Sequence, residues 1–518
     1  MRGSDRIRPW LPRLAALAVV LLFAALMVRL WHPAFGFTAF LQLNAENDDL
    51  KITAFHDPSI YVHRDTGGYD GLYYAQIAYD PTLRDAELPR AMDNLSYRAR
   101  RILLPVIAWV VSLGQEAWIV HVYSWLNQIS WGVLGWLLWR ILRVTDLRGW
   151  LAWTGVMLAT GTLNSVRLAL SDLPMVTLIA GAMLAVEAGR IRAASGLLAT
   201  AALARETAVL ALPALLERPW ISWRNIRTGL VVATPLAAWL AYIRWQVGPA
   251  NQGFSNFTLP GSGYVERWQE VLGSLPGSND PLLAWTTLLA HVGLSLQAIF
   301  LLSRWRLLAD RWWRLGAAYV ALMAILNTAV WEGFAGASPR VLLVVTLAFN
   351  VLAHRTRAPL LWLLLGNLGI ASGLHSLRDL PYSRELDAHR SAGAISLVQI
   401  KTGWSAAEWN SDHIWSWATE EAKLALVLRS DRPRTAVFAG ELHSLVPREV
   451  VIHLGDREVW RGQVDAPRAR FSFPVRLAPG ETPVTFSTDT PAVPEGDGPR
   501  ARRLAFALYN ARLTLDPP

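Results

Sequence analysis

Long apolar runs interrupted by short charged breaks dominate the first three quarters of the chain. The runs fall at 14–31 and near 118–139, 149–164, 172–188, 193–203, 206–217, 228–246, 282–303, 315–331, 339–354 and 358–375. Runs of this length predict a bundle of about eleven membrane-spanning helices. The runs 193–203 and 206–217 are too short to cross a ~30 Å hydrocarbon core at about 1.5 Å per residue. They predict a broken or re-entrant pair hinged at Arg205–Glu206.

The links between runs orient the bundle. WRILRVTDLR, GRIR, ERPWISWRNIR, SRWRLLADRWWR and HRTR are short and basic, whereas 32–117, 247–281 and 332–338 hold most of the acidic residues that precede the tail, 15 of 22. Basic links belong in the cytoplasm, which places the first long loop and the tail, 376–518, outside. The amino end MRGSDRIRPWLPR is basic, and its apolar run ends in Arg29, Trp31 and His32 with no small-residue cleavage site. The run therefore reads as a retained first helix and not as a signal peptide.

Beyond 375 the period changes. From about 422 the chain shows short alternating segments, AKLALVL, TAVFAG, EVVIHLG, EVWRGQV, RFSFPV, TPVTFST and RRLAFALYNARLTL, separated by SDRPR, APG and PAVPEGDGP. This spacing predicts an antiparallel β-sandwich over 422–518. The connector, 376–421, carries Trp404, Trp409, Trp415 and Trp417. These either pack between the sandwich and the membrane surface or stack on sugar rings. The expected fold is an α-helical polytopic membrane domain, 1–375, with an extracytoplasmic β-sandwich.

Composition sharpens the picture. Of the 518 residues 53% are hydrophobic and 17% charged, where soluble proteins carry about 25% charged residues. The net charge of +9 sits in the inner links, so it is a topology signal and argues against nucleic-acid binding. Without cysteine there is no disulfide, zinc thiolate or thiol nucleophile. Lysine occurs only at 51, 401 and 423. That arginine bias, with abundant alanine, points to GC-rich bacterial coding and hence to a bacterial inner membrane.

Candidate chemistry begins with GGYDGLYYAQIAYDP, 67–81. Its glycines place Asp70 in a turn, and Leu72–Tyr79 predicts a short helix on the membrane surface with Tyr69 and Tyr73 at the interface. Asp80–Pro81 ends it. RARRILLPVIAWVVSLG, 98–114, predicts a second interfacial helix. A carboxylate here suits chemistry between a lipid-borne and a water-exposed substrate; the plain alternative is that Asp70 and Asp80 cap local structure. Arg167 and Asp172 flank the mouth of a helix starting at Pro174, where Asp172 is also a natural N-cap. Arg205 and Glu206 lie within an apolar run, an expensive place for charge and so a functional pointer, unless they form a local pair at the break. Glu332 and Arg340 mark another outer helix entrance, where simple snorkelling is the plain use of Arg340.

In these features the sequence resembles the GT-C superfamily, polytopic glycosyltransferases that use polyprenyl-phosphate sugars. The matching elements are a first span, a long outer loop with an acidic motif, and two interfacial helices. YDGLYYAQIA is similar to the aspartate-glycine-aromatic motif of the phosphatidylinositol-glycan mannosyltransferase branch and its bacterial relatives. SDLP and ARET, 171–174 and 204–207 in part, resemble recurrent features of such chains, and an extracytoplasmic β-domain is a common appendage. The resemblance covers 1–375 and implies transfer of one sugar, such as mannose, to a glycan, lipid or protein acceptor, with Asp70 as general base. A polyprenyl phosphate leaves as a stable anion, so the chemistry needs a base for the acceptor hydroxyl and cations for the phosphate. One displacement with one base inverts the anomeric centre. Arginine forks suit phosphate, which nominates Arg205, Arg340 and the cluster Arg98, Arg100, Arg101. Asp80 is a candidate to orient Asp70 or, with Asp70, to ligate a divalent cation such as magnesium or manganese. Two other classes compete: a transporter or flippase of lipid-linked glycans, for which no internal repeat is visible, and a non-catalytic glycan-binding surface protein.

Overall fold

The computed structural model describes residues 10–32, 35–44, 50–57, 59–63, 68–249, 256–275, 278, 280–332, 337–378, 388–391, 394–405, 408–409, 414–430, 432–465, 467–495 and 502–516. It is mostly helical, 55%, with a β-sheet region at the C-terminal end.

The helices follow the apolar runs but break more often. In chain order they are α1 (Leu11–Leu30), α2 (Asp70–Ile77), α3 (Leu95–Arg98), α4 (Leu103–Val111), α5 (Glu116–Leu142), α6 (Leu147–Met157) and α7 (Thr160–Arg167). Then come α8 (Asp172–Glu187), α9 (Ile191–Ala204), α10 (Trp223–Gln246), α11 (Ser262–Gly273) and α12 (Pro281–Ser303). The last are α13 (Arg311–Ile325), α14 (Thr328–Glu332), α15 (Ala337–Val341), α16 (Leu343–Arg355), α17 (Leu360–Gly366) and α18 (Ile370–Ser376).

Among the described residues three helices are long and apolar enough to cross a membrane: α1, α10 and α12. The remaining runs differ for local reasons. The run 149–164 is split into α6 and α7, and 315–331 into α13 and α14. Glu116, His121, Asn127, Gln128 and Arg140 dilute the apolar character of α5. The expected hinge at Arg205 is present: α9 stops at Ala204, Arg205 is extended (φ −157°, ψ 128°), and a 3₁₀ helix runs from Glu206 to Ala214.

The first loop corrects two expectations. Asp70 does not sit in a turn ahead of a helix; it is the first residue of α2, which starts two residues early because Tyr69 is extended and serves as the N-cap. The expected helix over 98–114 is confined to α4, Leu103–Val111, and a separate short helix, α3, ends at Arg98. Gln76 is buried and ties the loop together: its amide oxygen accepts from Ile52 N at 2.7 Å, and its amide nitrogen donates to Leu50 O and Ala91 O, each at 3.2 Å. On α4, Leu104, Pro105 and Ala108 are buried while Val106, Trp109 and Val110 are exposed, the division expected of a helix lying at an apolar boundary.

In the β region, β1 (Ala388–Ser391), β2 (Ala394–Ile400), β3 (Glu408–Trp409), β4 (Ile414–Ala418), β5 (Ala422–Arg429), β6 (Arg434–His443) and β7 (Arg448–Leu454) are followed by β8 (Arg457–Val464), β9 (Ala469–Leu477), β10 (Gly480–Ser487), β11 (Val493–Pro494), β12 (Arg503–Leu504) and β13 (Phe506–Leu515). The six-stranded sheet runs β1-β2-β5-β10-β7-β8 and the five-stranded sheet β3-β4-β13-β6-β9, each antiparallel. The stretch expected as a connector thus feeds strands into both sheets. Of its tryptophans, Trp404 packs edge-on against Phe486 and Phe506, Trp415 stacks on Tyr509, and Trp417 is buried. The Trp409 side chain lies outside the described residues.

Strand β5 is apolar at nearly every position, and its period of 2 explains why. Leu424, Leu426 and Leu428 join Phe438, Phe471 and Leu508 of the other sheet in one hydrophobic cluster. Ala425 and Val427 point the opposite way and, with Leu397, pack on Phe35, Ala39 and Tyr61 of the first loop. The strand is covered on both faces.

Candidate active site

The loop and the helix breaks converge on one cavity of about 960 Å³, at the upper end of ligand pockets. Its lining includes Tyr69, Asp70, Glu206 and six arginines: Arg98, Arg100, Arg101, Arg205, Arg244 and Arg340. Helix α10 forms a wall through Leu240, Ala241 and Ile243. It is anchored to the loop by Trp239 Nε1 donating to Ala99 O at 2.8 Å and Tyr242 OH donating to Thr82 O at 2.6 Å.

Asp70 is reached from α3. Arg98 Nη1 donates to Asp70 Oδ1 at 2.6 Å, while its Nε and Nη2 hold Asp93 at 2.9 and 2.7 Å. The Arg98 guanidinium also lies 4.6 Å from the centre of the Tyr73 ring, so Tyr73 supports the arginine and does not line the cavity. Arg101 stands between the two cavity acids, with Nη1 3.8 Å from Asp70 Oδ2 and Nε 3.6 Å from Glu206 Oε2. Its Nη1 also donates to the Tyr74 hydroxyl. Burial pushes the Asp70 carboxyl up, but Arg98, Arg101 and Arg340 outweigh it and hold the acid below its ordinary range. Asp70 is therefore ionised and still 28% exposed.

Asp172 does not cap its helix as a plain N-cap; Ser171 holds that position, and the Asp172 side chain binds Arg205 and Arg340. The helix also begins two residues before Pro174. Arg340 does not snorkel: it is 5% exposed, and its Nη2 donates to the Tyr69 hydroxyl at 2.5 Å. Arg205 and Glu206 do not pair with each other as a closed unit, since their partners are Asp172 and Arg101.

Gly71 explains how α2 reaches this position. A Cβ there would lie 2.4 Å from Leu168 O, so only glycine lets α2 press against the end of α7.

No family model matches this chain, and no curated protein matches it.

Two sequence-level candidates fall elsewhere. Asp80 is not among the cavity residues. Its carboxylate accepts from Thr82 N and Oγ1, Arg84 N and Asp85 N at 2.5–3.0 Å, which makes it a loop cap. Those hydrogen bonds, led by the Thr82 hydroxyl, overcome burial and keep its carboxyl below the ordinary range. Glu332 closes α14, and its side chain lies outside the described residues. The acids facing the cavity, Asp70 and Glu206, are each engaged by guanidinium, and no group of three or more acidic, histidine or cysteine side chains forms among the described residues. Six guanidinium groups around two acids make this lining fit an anion.

Arg244 is the member that sequence reading missed. It lies in the last turn of α10, exposed at the cavity. Its position, four residues before a Gly-Pro pair that opens an outer loop, was the available signal.

Proposed function

We propose that this chain is an integral-membrane glycosyltransferase that moves one sugar from a polyprenyl-phosphate donor to a hydroxyl-bearing glycan, lipid or protein. The observation that carries the reading is Asp70, an ionised carboxylate at an arginine-lined cavity whose wall is an apolar helix. Only five of the 24 residues of wall helix α10 are buried, so an isoprenoid chain lies against its surface while the phosphate enters among the arginines. The shared core of the two sheets supports the β-sandwich reading. The three long apolar helices α1, α10 and α12 support insertion in a membrane; on this reading the chain is a GT-C-like bundle of about eleven crossings in a bacterial inner membrane, with loop and β region on the periplasmic face.

In this mechanism the acceptor hydroxyl attacks the anomeric carbon as Asp70 takes its proton. The bond from that carbon to the phosphate oxygen breaks with its electron pair, and polyprenyl phosphate leaves as an anion held by guanidinium forks. The configuration inverts. Arg98 and Arg101 blunt the basicity of Asp70 before donor arrives. An incoming phosphate competes for them and frees the carboxylate in the step where it is needed.

The test is Asp70→Asn in membranes supplied with radiolabelled polyprenyl-phosphate sugar. Loss of a general base is expected to lower transfer about 10²- to 10⁴-fold. Unchanged transfer at normal expression removes Asp70 from the chemistry. Glu206→Gln, in parallel, distinguishes the second cavity acid. A flippase of lipid-linked glycans is the second reading, favoured by the backbone break at Arg205 within the bundle. Transport in proteoliposomes without a glycosylated product would select it.

A further inference from the structure

A second cavity lies at the opposite end of α10. It has a volume of about 220 Å³ and is lined by Leu216, Glu217, Arg218, Trp220, Arg311 and Arg314 among others. At about 30 Å³ per water this is room for some seven waters, or for a phosphate group and its hydration.

Its charges are unbalanced. The two oxygens of Glu217 are already taken, Oε2 by Arg224 at 2.6 Å and Oε1 by Arg311 at 2.8 Å. Arg311 also donates to Ala214 O at 3.0 Å. Arg218 and Arg314 have no carboxylate within ion-pair distance among the described residues. Arg314 is 8% exposed, donates from Nη1 to Leu216 O at 2.9 Å, and keeps a buried Nε with no hydrogen-bond partner. Both guanidinium groups sit over Trp220, at 4.9 Å for Arg314 and 5.9 Å for Arg218. A guanidinium this buried, with a donor unused, costs free energy unless an anion completes it.

The surroundings say which anion. Ile221 and Trp223, next along the chain from the lining residue Trp220, and Trp305, ahead of the lining residue Arg311, are 90%, 73% and 65% exposed, apolar surface suited to the head-group level of a bilayer. Above it Ile226, Leu230 and Val231 of α10 are exposed and offer a track for acyl chains. The 24 residues of α10 span about 36 Å at 1.5 Å per residue. The cavity thus lies a bilayer thickness away from Arg244 and the Asp70 site.

We propose that this cavity binds the phosphodiester head group of an anionic membrane lipid, with Arg218 and Arg314 as the phosphate-holding residues. The phosphate enters between the two guanidinium groups beside Trp220, and the acyl chains follow the exposed face of α10. A free phosphate shares the charge but leaves the apolar surface unused.

The experiment is native mass spectrometry of the full-length protein in detergent, titrated with phosphatidylglycerol, with phosphatidylethanolamine, and with inorganic phosphate. The wild type is expected to retain one phosphatidylglycerol in preference to phosphatidylethanolamine. Arg314→Gln and Arg218→Gln are each expected to weaken that retention about tenfold, the worth of one charge-assisted contact. Arg218 is exposed, so its variant folds even where the Arg314 variant does not. Equal retention of the two lipids, or retention unchanged in Arg218→Gln, overturns the proposal. Displacement of the lipid by millimolar inorganic phosphate, with no dependence on acyl chains, reassigns the site to a soluble phosphate and overturns it as well.

Discussion

Asp172 holds Arg205 and Arg340 together: one carboxylate oxygen takes Arg205 Nη1, and the other lies 3.1 Å from Arg340 Nη1. The acid is 1% exposed and stands behind the cavity, so its two arginines present their remaining donors forward. Asp172→Asn keeps the shape but leaves two buried cations without a counter-charge. It is expected to destabilise the protein by about 3–5 kcal/mol, read as a lower thermal midpoint in detergent. A midpoint equal to wild type would show that the triad is not a structural anchor.

Arg98 controls when Asp70 is charged. Burial raises the Asp70 carboxyl while Arg98 leads the influences that depress it below its ordinary 3.8. A depressed value means that the stabilising charge is complete above the unfolded value and is lost only as pH falls through the folded one. Wild-type transfer should therefore show no Asp70 limb on the acid side of neutrality until below pH 3.8. In Arg98→Gln burial is less opposed, so the acid limb moves to higher pH. Initial transfer rates at subsaturating donor, which report the enzyme before phosphate draws Arg98 away, check this between about pH 4 and pH 8; superimposable profiles would contradict it.

Two glycines provide a matched pair. A Cβ on Gly71 meets the Leu168 carbonyl at 2.4 Å, whereas one on Gly132 of α5 meets nothing within 4 Å. Gly71→Ala must push α2, and Asp70 with it, off the end of α7, and is expected to abolish transfer or folding. Gly132→Ala should be silent or gain up to about 1 kcal/mol of helix propensity. Expression level and transfer rate of the two variants decide the matter.

Arg244 is exposed at the cavity end of α10, so its removal should affect docking of the donor and spare the chemistry. Arg244→Gln is expected to raise the donor KM about tenfold with kcat unchanged, the loss of one charge-assisted contact. A fall in kcat at constant KM would place Arg244 in the transition state.

The sequence made the site legible in outline. Charges inside apolar runs flagged Arg205 and Glu206, and the helix entrance flagged Arg340; all three line the cavity with Asp70. Asp80 misled because one-dimensional spacing cannot tell a carboxylate facing a cavity from one folded back on the amides of Thr82, Arg84 and Asp85. The role of Asp172 was hidden for a related reason: both partners lie far along the chain, and its local signal was that of a cap. Strand periodicity located β5 to β10 and β13 closely, but β2 and β4 escaped notice in a stretch dominated by tryptophans. Helix breaks such as that between α6 and α7 leave no Pro or charged marker, since the break follows from packing against distant segments. Gly161 there lies 2.3 Å, by its absent Cβ, from Pro339 O.

Strand β5 has a consequence for how the chain can be divided. Because Ala425 and Val427 shield Phe35 and Tyr61, truncation after 376 would not release an intact helical half. It would uncover a greasy patch on the polypeptide that scaffolds Asp70, and misassembly or aggregation should follow before any question of turnover arises. Swapping the sheets between distant homologues would face the same barrier unless both sides of that contact travelled together.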